Sequence, residues 1–311
     1  MRGVLVLLVA SAIGFVALGE GGSLAGSLGL EADFLYDGLA WDVGTAVTLS
    51  LTFGGIGVRS RTEFSLAGFE AEKLDFIFSL EEIFRIRNTL RFDPCFSHYE
   101  LEIGGSMFKD ACCPGGFDWR LIFAYGNLAE PCQTPDYTIG FVFDTGLQWY
   151  LDECCMYFEI RNFFSFGMAG LYSLVDDNPW TWVYLVPGVL FEEDLLKIAF
   201  VTPSFSTETL LFFDATGFQW VRFEGLLNVG PFTLGGRAFF VSPFTFSSAD
   251  FICGLDIDGF SFRSYTTFDL LGFLAEELRF GLKGDGFKAF LWIYFDIFGV
   301  IDITTGIEVS W

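Results

Sequence analysis

The only histidine of the chain is His98, in "FSHYELEIGG". Any Ser-His or Cys-His nucleophilic chemistry has to pass through it. On a two-residue period His98 shares a side with Glu100 and Glu102, while Ser97 points the other way, so no nucleophile stands beside the ring. A lone histidine also supplies a metal centre poorly. The glycines of "GGIG" (54–57) read as a turn, because no helix follows to cradle a phosphate. "DIDG" (256–259) begins like a calcium loop but has Thr267 where that loop needs glutamate, and reads as a hairpin turn. The expectation is a protein that is not an enzyme, with no cofactor and no metal.

The charged residues follow a clearer order. Arg59, Arg61, Arg85, Arg87, Arg91 and Arg263 fall on the polar side of alternating stretches, together with Glu63, Asp75, Asp269, Asp302 and Glu308. Lining a narrow aqueous pore, such groups shape the field and select ions. They can equally pair across neighbouring strands and solvate the wall. Both roles stay open, and the stripe of Arg85, Arg87 and Arg91 is a candidate anionic site.

Cysteine supplies the third pattern. Cys95, the pair Cys112 and Cys113, Cys132, and the pair Cys154 and Cys155 lie in four consecutive inter-strand connections. In an up-and-down barrel alternate connections share a rim. The expectation is a bridge between Cys95 and Cys132, one or two bridges between the vicinal pairs, and Cys253 free inside a strand.

The elements that must position these residues alternate with period two. "GIGVRSRTEFSL" sets Ile56, Val58, Ser60, Thr62 and Phe64 against Gly57, Arg59, Arg61 and Glu63. "EEIFRIRNTLRF" and "GFSFRSYTTFDL" do the same. These are strands with one apolar and one polar face. Signals such as "FGG", "LAG", "DATG" and "KGDG" punctuate them at even intervals. The count is about 16–20 strands joined by short turns, most of them long enough to cross a bilayer when tilted. "RSRTEFSLAGFEAEKLDFIFS" (59–79) aligns without gaps on "RSYTTFDLLGFLAEELRFGLK" (263–283) with 11 of 21 positions identical, which suggests a duplicated hairpin. The pattern is least legible over residues 165–205. There "FFSFGMAGLYSLV" is apolar on both faces, as a strand in a filled barrel or a two-layer sandwich would be. No connection reads as long enough to fold inward as a constriction.

Composition bounds the function. The 311 residues are 52% hydrophobic, with 41 Phe, only 17 Lys and Arg, and a net charge of -23. Nothing here neutralises phosphates, which sets aside nucleic acid and an anionic membrane surface as partners. Met1, Arg2 and "GVLVLLVASAIGFVALG" read as a secretory signal over residues 1–19, with cleavage as late as 25, leaving 20–311 as one domain. Beyond it no apolar run reaches the roughly 18 residues of a membrane helix. An exported, very apolar chain of alternating strands then points to a closed barrel, because only helices and closed barrels pair all their backbone groups inside a bilayer.

The chain ends "IDITTGIEVSW". This strand resembles the C-terminal signal of bacterial outer-membrane β-barrels, polar-x-Gly-x-x-apolar-x-aromatic, with Thr304, Gly306, Val309 and Trp311 at the motif positions. That family usually ends in Phe, so Trp311 is a departure. The resemblance implies recognition by the outer-membrane barrel-assembly machinery and residence in a bacterial outer membrane. The resulting expectation is an all-β, single antiparallel up-and-down transmembrane β-barrel of the porin-like superfamily. It would act as a passive diffusion channel for ions or small solutes, its partners the lipid bilayer and those solutes, with a homo-oligomer left open. A structural surface barrel with little conductance is the alternative, and a barrel enzyme the remotest one.

Overall fold

In the computed structural model, residues 24–36, 41–80, 84–93, 95–107, 116–127, 137–151, 156–175 and 183–310 are described. The expected leader (1–19), Trp311, Cys112, Cys113, Cys132, Cys154 and Cys155 lie outside them, as does the side chain of Cys95.

The alternating stretches all become strands. The first arc holds β1 (Leu24–Tyr36), β2 (Trp41–Phe53), β3 (Ile56–Ser65), β4 (Gly68–Leu80) and β5 (Phe84–Asp93). It continues through β6 (Cys95–Met107), β7 (Gly116–Asn127), β8 (Tyr137–Leu151) and β9 (Met156–Phe166). After two short strands, β10 (Met168–Ala169) and β11 (Tyr184–Leu185), the second arc runs β12 (Phe191–Val201), β13 (Phe205–Asp214), β14 (Gly217–Val229) and β15 (Phe232–Val241). It ends with β16 (Thr245–Ile257), β17 (Phe260–Asp269), β18 (Gly272–Gly284), β19 (Phe287–Asp296) and β20 (Gly299–Ser310). Neighbours in the chain pair antiparallel, β9 pairs with β12, and β1 pairs with β20 from Ser27 opposite Ser310 to Leu35 opposite Asp302. The sheet is therefore a closed up-and-down barrel of 18 strands. Closure leaves no open edge.

We call the rim of the β2–β3 turn lower and that of the β3–β4 turn upper. At four of the upper-rim turns a bulge just before the turn brings two outward phenylalanines edge to face. The pairs are Phe64 with Phe69, Phe213 with Phe218, Phe240 with Phe246, and Phe268 with Phe273, at 5.7–6.3 Å and 69–79°. Such pairs add about 0.5–1.5 kcal/mol each beyond their buried area. The two copies of the sequence repeat match in detail. Ser60 donates to Glu72 at 3.4 Å, and Ser264 donates to Glu276 at 3.0 Å. Ser65 and Asp269 each cap the turn that follows.

One expectation fails. The described parts of the connection between β9 and β12, residues 167–175 and 183–190, do fold inward from the upper rim. Met168 and Leu171 are fully buried, and with Val183 and Leu185 they pack on Ile122, Ala124, Val142, Phe163, Leu195 and Leu210. Those wall residues share the inward parity of Arg120, Asp144, Arg161, Lys197 and Glu208. The apolar double face of "FFSFGMAGLYSLV" thus has a physical cause: its first residues end the wall strand β9, with Phe163 buried inward, and the rest are the segment that packs on that wall. Burying each large apolar side chain contributes roughly 1.5–3 kcal/mol. Polar ties fix the entry and exit. The Glu193 carboxylate accepts the N–H groups of Gly170 at 2.7 Å and Leu171 at 2.8 Å. The Ser165 hydroxyl donates to the Met168 carbonyl at 2.6 Å. Gly140 has to be glycine, because a Cβ there would stand 2.2 Å from Met168 Cγ and 2.6 Å from the Gly167 carbonyl oxygen.

Candidate pore lining and constriction

Register decides which side chains meet the lumen. Of the 17 lysines and arginines, Arg2 and Lys109 lie outside the described residues, and all of the others fall on the inward parity. The outward parity carries the large exposed hydrophobics, among them Leu28, Leu30, Phe78, Phe143, Phe251 and Leu282. Its carboxylates Glu72, Asp194 and Glu276 each accept a hydrogen bond from a neighbouring strand.

Most inward charges are paired. Arg61 meets Glu31 at 2.7 Å and Glu63 at 2.8 Å. Arg87 stands 3.4 Å from Glu102. The Asp75 carboxylate accepts the Thr89 hydroxyl at 2.6 Å, both groups being fully buried. Arg91 lies in register between Lys73 and His98, and His98 Nε2 stands 3.4 Å from the Glu100 carboxylate. On the far side Arg263 meets Asp256 at 2.6 Å, and Lys288 meets Glu308 at 3.5 Å. Asp302 shares its corner with Asp33, which accepts the Thr304 hydroxyl at 2.7 Å. Asp269 stands at the upper rim, where its carboxylate accepts the N–H groups of Leu271 at 2.7 Å and Gly272 at 3.1 Å and caps a turn. Gly306 lies beneath the Phe290 ring, and Val309 faces outward. Cys253 is a free thiol on the outward parity of β16.

Sequence reading missed several inward charges. Asp144, 1% exposed, takes Arg161 through two bonds of 2.7 Å and Arg120 through one of 2.9 Å. Lys197 joins Glu159 and Glu208, Glu208 joins Arg222, and Arg237 bridges Glu224 and Asp250. Beside this ladder, Tyr172 of the inward segment accepts a hydrogen bond from Arg222 and stands edge-on to Trp220 at 5.4 Å. The Arg279 guanidinium lies 5.0 Å from the Tyr265 ring centre and 5.1 Å from that of Trp292. Between Tyr172 and this wall runs a space of about 480 Å³ bordered by Arg222, Arg237, Asp250, Tyr265, Arg279 and Tyr294. The inward aromatics Phe290, Trp292 and Tyr294, which break the alternation of β19, thus stand among cations.

No protein-family model and no curated protein matches the chain. Among solved structures it is similar to engineered variants of the porin of Rhodopseudomonas blastica. One aligns over 94% of this chain and 100% of the porin at 10% identity and a TM-score of 0.45. A second aligns over the same shares at 12% identity and a TM-score of 0.44. The barrel described above rests on its own strand pairing.

Proposed function

We propose that the chain is a porin-like passive diffusion channel of a bacterial outer membrane, passing ions or small solutes. The observation that carries this reading is the segregation of charge: every described lysine and arginine is inward, while the outside is an apolar band with phenylalanine pairs beneath the upper rim. Barrels of this size enclose an aqueous channel, and an apolar band flanked by aromatic girdles is what a bilayer selects. The inward segment narrows the lumen from the upper side. The acidic balance of the chain favours cations over anions. Thr304, Gly306, Val309 and Trp311 serve assembly-machinery recognition in this reading. Arg59, Arg61, Glu63, Asp75, Arg85, Arg87, Arg91, Arg263, Asp302 and Glu308 line the passage.

Planar bilayers test it. Purified protein should give stepwise conductance, with a reversal potential of cation-selective sign across a salt gradient. A silent barrel would favour the structural reading, which the inward segment supports by filling part of the lumen. In cells the protein should fractionate with outer membranes and migrate differently in detergent gels before and after heating. Recovery in a soluble periplasmic fraction defeats the assignment. Non-reducing digestion should recover the Cys95–Cys132 bridge, and a bridge from Cys95 to any of Cys112, Cys113, Cys154 or Cys155 would overturn the rim assignment.

A further inference from the structure

Two wall arginines stand apart from the pairing that occupies the rest. Arg59 on β3 and Arg85 on β5 have no carboxylate within 4.0 Å among the described residues, whereas their neighbours Arg61, Arg87, Arg120 and Arg161 all do. The Nε of Arg85 is enclosed without a hydrogen-bond partner. The acid in register with Arg59 is Asp75, and its bond from the Thr89 hydroxyl draws it toward β5.

On the side where the two arginines meet, among the described residues, the space is open and bordered by no acid. A cavity of about 260 Å³ at the lower rim is bordered by both guanidinium-bearing residues, by Thr52 and Ser79, and otherwise by glycines and aliphatic side chains. No aspartate or glutamate borders it among the described residues, in a chain that has 40 of them. Gly57 faces inward between Thr52 and Ile77 and leaves this volume unfilled. Glu102 and Asp118 border a separate cavity on the other side of Arg85. There Glu102 faces Arg87, and Asp118 accepts the Ser106 hydroxyl.

We propose that Arg59 and Arg85, with the hydroxyls of Thr52 and Ser79, form a binding site for a small soluble oxyanion at the lower mouth of the barrel. A guanidinium presents paired donors that match phosphate or carboxylate oxygens two at a time, and the hydroxyls supply neutral donors beside them. The site deepens the channel reading and rests on it for its route of access. It gives a predominantly cation-favouring passage a local place where anions pause, at the mouth opposite the inward segment.

The test uses the purified full barrel in detergent and inorganic phosphate as the probe, with acetate as a second arm. Equilibrium dialysis should show saturable phosphate binding. Arg59→Gln and Arg85→Gln should each weaken it about tenfold, and the double variant should abolish it. Arg85→Lys should retain part of the affinity, since the charge remains and the fork is lost. Arg237→Gln, on the far wall and already paired with Glu224 and Asp250, should change it less than threefold. Neither Arg59 nor Arg85 holds a carboxylate, so their loss orphans no acid, and unchanged heat-dependent migration confirms folding. In bilayers, phosphate should reduce cation conductance in the parent protein and not in the double variant. Absent or unsaturable binding, or equal binding by the double variant, overturns the site and leaves the channel reading standing. Binding in a barrel that does not conduct keeps the site and removes the channel. Tighter binding of acetate than of phosphate would assign the site to carboxylates.

Discussion

Gly140→Val should unseat the inward segment and raise single-channel conductance. The Cβ alone would stand 2.2 Å from Met168 Cγ and 2.6 Å from the backbone oxygen of Gly167. The side chain of Met168 can bend; the backbone of Gly167 cannot, since it is tied to Leu190 at 2.9 Å and to Val186 at 3.1 Å. Two further methyl groups leave the segment no way to stay seated. Losing the burial of Met168 and Leu171 costs roughly 1.5–3 kcal/mol for each. The barrel wall keeps its ladder, so the variant should still insert and still migrate as a folded barrel. Gly225→Ala is the control, because its Cβ would meet nothing within 4 Å. Larger current steps for the first and unchanged steps for the second are the expected pair. Equal steps in both would mean that the segment does not limit the passage.

The second large effect belongs to Asp144. Its carboxylate holds Arg120 and Arg161 together at 2.7–2.9 Å and is 1% exposed. Asp144→Ala leaves two neighbouring guanidiniums without their shared acid, a loss on the order of 1–3 kcal/mol, since both keep some contact with the lumen. The temperature at which the detergent-solubilised barrel converts to its unfolded gel form should fall clearly. The reversal potential should shift toward anions, because the wall gains positive charge where a cation pathway had a carboxylate. Adding Arg161→Leu to Asp144→Ala should recover part of the stability. An unchanged conversion temperature in the single variant would show that this cluster is solvated enough to do without its acid.

The legibility of the fold in the sequence varied with what each strand faced. β3, β5, β17 and β20 alternate cleanly because one side meets the apolar exterior and the other meets polar neighbours, so their inward residues could be assigned from parity alone. β7, β8, β9, β12 and β13 lose the alternation where Ile122, Val142, Phe163, Leu195 and Leu210 meet the inward segment instead of water. Arg120, Arg161 and Arg222 were hidden by the same cause, because each strand carries only a short charged stretch, Asp118 with Arg120, Glu159 with Arg161 and Arg222 with Glu224, beside apolar inward positions. The segment itself, with Met168, Leu171, Val183 and Leu185, has the composition of a strand, and only the wall it packs against distinguishes it. Asp269 follows the polar parity to the end of β17, but there the backbone turns, and its carboxylate is taken by turn N–H groups.

The pairing of β1 with β20 has a kinetic consequence. The hydrogen bond from Thr304 to Asp33 joins residues 271 positions apart, whereas every other junction around the wall joins strands that follow one another or are separated only by the inward segment. Contacts of such separation form late and slowly, because the intervening chain must be ordered before they yield anything. Until β20 arrives, β1 is an unpaired strand edge with an apolar face, a template for aggregation. Association with a second copy is therefore most favoured at that first strand, during the interval between its synthesis and the arrival of the last.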